Sequence, residues 1–142
     1  EVLETLGVPV VGYATDEFPA FYSRTSGLRL TARADSAAEV AALWQAHRIY
    51  GGGSGMLLAV PPPAATALPA DEIEAAIGRA LAEATRQGIR GAQVTPFLLD
   101  AMKRETEGRS LTANVALLRN NAQIAAQVAV ALADQPLRGS AP

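Results

Sequence analysis

A chain of 142 residues with 49% apolar content and a net charge of −2 can build one domain with a real core, but not two comfortable ones. A pI near 5.4 and the lack of any basic run interleaved with aromatics exclude nucleic acid as the main partner. The absence of cysteine excludes disulfides, thiol nucleophiles and thiolate metal sites. No apolar stretch approaches the roughly 18 residues of a membrane span and no signal peptide opens the sequence, so a soluble cytoplasmic protein is expected.

Glu1 to Gly7 begins without methionine, as if in the middle of an element. Leu6 to Tyr13 is a β-branched run between glycines, which predicts a buried strand with Pro9 near its start. Asp16 to Ser26 lacks a clear period and is expected to be a loop or short helix that packs Phe18, Phe21 and Tyr22 on the core. Leu28 to Arg33 alternates apolar and polar residues, the pattern of a half-exposed strand.

Ser36 and Glu39 have capping-box spacing, and the helix they open runs to Tyr50 with Val40, Leu43, Trp44 and His47 inward. His47 is the sole histidine, which leaves no histidine pair for a metal, and it reads as a core-edge residue rather than a catalytic base. Gly51 to Gly55 lacks the Gly-Lys-Ser/Thr ending of a phosphate loop and leads into a strand, Met56 to Val60, so it is expected to be a turn. Pro61-Pro-Pro63 ends that strand.

A helix is predicted from Asp71 to Gln87, with Ile73, Ile77, Ala80, Leu81 and Ala84 inward and Gly88 as its stop. Gly78 inside it suggests close packing. Thr95 as N-cap followed by Pro96 predicts another helix, closed by Gly108. Then comes the longest element, capped by Ser110 and running to Leu132, about 24 residues or roughly 36 Å. Its expected buried stripe is Leu111, Val115, Leu118, Ala122, Ala125 and Ala129. Asn114 and Asn121 share one side of it while Asn120 points elsewhere. The first two either bond neighbouring protein, the commoner fate of a buried amide, or face a polar ligand.

Strands alternating with helices make the fold class α/β, an α/β/α sandwich with a sheet able to continue into missing chain. Residues 1–135 form that unit and 136–142 a tail.

Leu3-Glu-Thr-Leu-Gly-Val-Pro-Val-Val-Gly-Tyr13 followed by Phe18-Pro-Ala-Phe-Tyr-Ser-Arg-Thr-Ser26 resembles the pseudouridine-5′-phosphate glycosidase family, which includes the indigoidine-cluster A proteins. The similarity continues through Thr95-Pro-Phe-Leu-Leu99, Ser110-Leu-Thr-Ala-Asn114 and Asn120-Asn-Ala122. Val60-Pro61 stands where the family commonly has Asn-Pro. The resemblance covers nearly the whole chain but just the C-terminal half of the family protein. It implies reversible cleavage of the C–C glycosidic bond of pseudouridine 5′-phosphate to uracil and ribose 5-phosphate. It also implies a Schiff-base lysine, an acidic acid/base and an aspartate for manganese, all in the part before Glu1. Lys103 does not match the lysine motif and reads as solvated surface. Asn114 is the one substrate contact that carries over, so no catalytic residue and no metal ligand is assigned within the chain. The implied partners are the missing N-terminal half, the nucleotide substrate and further copies in a homotrimer. An indigoidine-pathway relative with another substrate, or a non-catalytic module of the same ancestry, are the alternatives.

Overall fold

The computed structural model describes residues 2–50 and 53–134. Gly51 and Gly52 of the glycine-rich turn, and the tail at 136–142, lie outside the described residues. The elements in order are α1 (Val2–Thr5), β1 (Val10–Tyr13), β2 (Ala32–Ala34), α2 (Ala37–Tyr50), β3 (Leu57–Ala59), α3 (Ala70–Arg86), α4 (Val94–Glu105) and α5 (Arg109–Asp134). No helix among the described residues is long and apolar enough to cross a membrane.

The three strands form a parallel sheet in the order β2-β1-β3, with Val11 opposite Ala32 and Leu58, and Tyr13 opposite Ala34. One face packs Val11, Ala34, Leu58 and Tyr13 against Val40 of α2 and Val128 of α5. Pleating sends Val10 and Leu57 to the other face, where Leu57 is 38% exposed. Parallel sheets are ordinarily covered on both faces, so this one is half-dressed. A second core joins Tyr22 and Leu68 to α3, α4 and the first turn of α5, through Ile73, Ala76, Met102 and Ala113.

Helix ends follow the residues that define them. Ser36 Oγ accepts from Glu39 N–H at 3.2 Å, as a capping box requires, while the Glu39 carboxylate reaches back one residue further than expected, to Asp35 N–H at 2.8 Å. Gly88, at φ +68°, closes α3 while Ile89 N–H bonds Ala84 O at 3.0 Å. Between α4 and α5 the chain turns through Gly108 at φ +83°. The oxygen that serves the start of α5 belongs to Thr106 rather than Ser110, which lies inside the first turn. The buried Thr106 hydroxyl donates to Met102 O at 2.7 Å and accepts from Ser110 N–H at 3.0 Å. Thr106→Val keeps the shape but leaves that N–H unpaired, and should cost about 1–3 kcal/mol in a thermal or urea melt. A shift within error would show that the hydroxyl does not hold the corner.

Several expectations are overturned. β2 begins at Ala32, not Leu28, because Leu28 to Leu30 turn back on the preceding loop, where Glu17 bridges Arg29 and Leu30 N–H bonds Asp16 O at 2.9 Å. Thr95 is not an N-cap, since a short 3₁₀ turn at Gly91–Gln93 feeds directly into α4 and leaves Pro96 in its first turn. Phe18 and Phe21 are exposed and Tyr22 alone of the three enters the core. Leu43, Ile77 and Leu81 face outward, and alanines such as Ala76, Ala80 and Ala84 make the close contacts. A side chain at Gly78 would meet nothing within 4 Å. On α5 the buried and half-buried positions include Ser110, Ala113, Leu117, Asn120, Ile124 and Val128, while the expected stripe is exposed.

Candidate functional site

In an open parallel sheet, ligands gather at the carboxyl ends of the strands. Here that end carries the long loop after β1, the proline segment after β3 and the first half of α5. The loop is pinned by Ser23, whose hydroxyl donates to Leu68 O at 2.8 Å while Leu68 N–H bonds Tyr22 O at 2.8 Å. Arg24 Nη1 donates to Pro62 O at 2.6 Å. Asn120 Nδ2 reaches Pro61 O at 3.4 Å, so two distant elements hold neighbouring carbonyls of one rigid segment.

Phe21 sits in the left-handed region at φ 45°, uncommon for a bulky residue, within a tight turn where Ala20 and Ser23 exchange backbone bonds. That conformation lets the two consecutive rings meet edge to face, with centroids 4.6 Å apart. Phe21 stays half exposed and Tyr22 goes inward, with the two ring planes at 85°. Burial pushes the Tyr22 phenol above its ordinary pKa, and hydrogen bonding towards the Ser110 side chain opposes this in part.

Asn114 follows Ser110 by one helical turn and is half buried on α5. Among the described residues no hydrogen bond engages its carboxamide. Asn121 is exposed. Asn120, which points away from both, lies on the packed side. Lys103 is exposed on α4. His47 is occupied structurally, with Nε2 2.9 Å from Ser54 Oγ and 3.1 Å from Ser54 O. It borders an open hollow of about 600 Å³ with Val8, Pro9, Val10 and Tyr50. A second hollow of about 560 Å³ runs along Val2, Leu3, Phe18, Leu28 and Leu30. Both are largely apolar and lie away from Asn114, so they look like uncovered core and not like a binding site. Among the described residues no three His, Asp or Glu side chains converge as a metal site would require. The residues present therefore do not fit a manganese ion.

The sequence model for indigoidine synthase A-like proteins matches residues 1–131. The chain belongs to the indigoidine synthase A-like family. It is 68% identical over 132 residues to the pseudouridine-5′-phosphate glycosidase of Herpetosiphon aurantiacus, a match covering 93% of this chain and 44% of that one. The enzyme of the same name from Gemmatimonas aurantiaca is 55% identical over 134 residues, again 44% of its length. The chain thus spans less than half the length of these relatives. Among solved structures, the prealnumycin C-glycosynthase AlnA in complex with ribulose 5-phosphate superposes with a TM-score of 0.83 at 36% identity, covering 92% of this chain and 43% of that one. An indigoidine synthase A-like protein of Thermotoga maritima gives 0.80 at 38%. The α/β fold described above is accordingly part of a larger domain in these relatives.

Tyr22, Arg24 and Ser110 join the candidate site through contacts that sequence reasoning missed. The available signal was the density of unusual residues in Phe18 to Ser26, which gave no partner for any of them.

Proposed function

We infer that this chain is one part of an enzyme that reversibly cleaves the C–C glycosidic bond of pseudouridine 5′-phosphate, giving uracil and ribose 5-phosphate. The observation that carries this reading is the 68% identity, across 93% of the chain, to a relative named for that activity. A C-glycoside has a poor carbon leaving group, and covalent capture of the sugar's C1 by an amine divides one hard step into easier ones. That amine, the acid/base and the ligand for manganese belong to the remainder of the enzyme. This chain contributes the floor at the strand ends and the Asn114 carboxamide, a neutral donor and acceptor that adds no charge beside a phosphorylated substrate. The same resemblance makes the assembled enzyme trimeric, which sedimentation of the reassembled protein would check.

A second reading, a family member that acts on a different base or sugar phosphate, is favoured by the C-glycosynthase with its ribulose 5-phosphate, though at 36% identity. One experiment tests both. The chain is incubated with pseudouridine 5′-phosphate and manganese, alone and with the remainder of the Herpetosiphon enzyme, the part outside the matched segment. Uracil should appear in the paired sample and not with the chain alone. Release by the chain alone that survives Lys103→Ala would place the chemistry here and overturn the division of labour. A well-folded pair that leaves this substrate intact but cleaves another C-glycoside would favour the second reading.

A further inference from the structure

α5 bears two apolar stripes, and one of them has no partner among the described residues. The packed stripe runs through Ala113, Leu117, Ile124 and Val128. The other, Leu111, Val115, Leu118, Ala122, Ala125 and Ala129, lies about 130° round the helix at roughly 100° per residue. Leu111, Val115 and Leu118 are 49%, 41% and 60% exposed. Alternating steps of four and three residues are the spacing of a seam made for another helix. From Leu111 to Ala133 there is a single charged side chain, Arg119, whereas a solvent-facing helix keeps charge on its outer side. Asn114 and Asn121 fall in the arc between the stripes.

Resting on the functional reading above, we propose that this second stripe is the docking surface for the remainder of the enzyme, which lays a helix along α5 and closes the candidate site beside Asn114. More than half of each relative's length lies outside the matched segment and must pack somewhere. The sheet ends at β2 on one side and β3 on the other, both open to continuation. Added parallel strands require crossover connections, usually helices, in the layers above and below the sheet. α5 occupies such a layer with α2, and its free stripe leans to the flank that carries Asn114 rather than straight away from the sheet. A neighbour in the same layer fits that lean better than a second copy approaching from outside.

The test measures binding of the chain to the remainder of the Herpetosiphon enzyme, with Leu118→Glu on the stripe and Gln123→Glu on another side of α5. An unpaired carboxylate buried in an apolar seam should weaken pairing at least about tenfold, with the chain's own circular dichroism unchanged. Gln123→Glu should pair like the unsubstituted chain. Failure of the unsubstituted chain to pair, or full pairing by Leu118→Glu, overturns the proposal. Full pairing by Leu118→Glu with loss of contacts between assembled copies would assign the stripe to a second copy. Because pairing is read without catalysis, a pair that forms normally yet releases no uracil counts against the functional reading and supports this surface.

Discussion

Gly12→Ala in the assembled enzyme is expected to lower stability by about 2–4 kcal/mol, a large part of a domain's margin. A β-carbon at this position would stand 2.2 Å from the Thr15 carbonyl oxygen, 2.9 Å from Leu30 Cδ1 and 3.1 Å from Thr15 Cγ2. The leucine tip can move. The carbonyl cannot do so cheaply, because the turn that places it is fixed on every side. Ala14 sits at φ 51° with its N–H bonded to Ala34 O at 2.8 Å, and the Thr15 hydroxyl both donates to Glu17 O and accepts from Glu17 N–H. Gly12 is also in the central strand, paired to Arg33 and Ala59, so a shift there disturbs both neighbours. Gly55→Ala, with nothing within 4 Å of the added carbon, is the comparison and should change the melt by no more than about 0.5 kcal/mol. Equal melts for the two variants would mean that the turn yields easily and that the close approach has no structural weight.

Most of the longer helices were legible because their ends depend on local chemistry, Ser36 with Glu39, Gly88 and Gly108 each acting within a few residues, but the starts of α4 and α5 were not, since a 3₁₀ turn opens the one and Thr106 rather than Ser110 serves the other. Helix faces were less so. α5 is apolar on two sides, Leu111, Val115 and Leu118 on one and Leu117, Ile124 and Val128 on the other, and periodicity alone does not say which of them meets this chain's own core. On α3 the small residues Ala76, Ala80 and Ala84 make the close contacts, so a preference for bulk misplaced Ile77 and Leu81. The strand expected at Leu28 alternates correctly but spends its first residues on an antiparallel bridge to Glu17, a tertiary choice that alternation cannot distinguish from sheet pairing.

The candidate site was harder to read for the same kind of reason. Its organising bonds run from Ser23 to Leu68, Arg24 to Pro62 and Asn120 to Pro61, side chain to backbone across tens of residues, and each accepting carbonyl leaves no trace in the identity of its residue. The family pattern pointed to Asn114, whereas the residues alone left its amide divided between protein and ligand. The structure leaves that amide unpaired among the described residues, and it places Asn120 on the packed side with its Nδ2 3.4 Å from Pro61 O.

Asn114→Ala should cut kcat/KM of the assembled enzyme about ten- to a hundredfold, corresponding to roughly 1–3 kcal/mol of lost interaction in the transition state. The melting temperature should barely move, since the carboxamide bonds no described residue and its removal orphans no protein group. Asn114→Asp keeps the size but turns a neutral donor–acceptor into an acceptor with negative charge, facing a substrate that already carries a phosphate, so it should be at least as damaging. Gln123→Ala, exposed on another side of α5, should retain full activity. Asn120→Ala is expected to act through stability, because it releases the Pro61 carbonyl and loosens α5 from the segment that Arg24 also holds. The comparison therefore pairs kinetics with melting for each variant. If Asn114→Ala keeps full kcat/KM while Asn120→Ala abolishes it at an unchanged melting temperature, the packed side of α5 faces the substrate and the assignment of Asn114 fails.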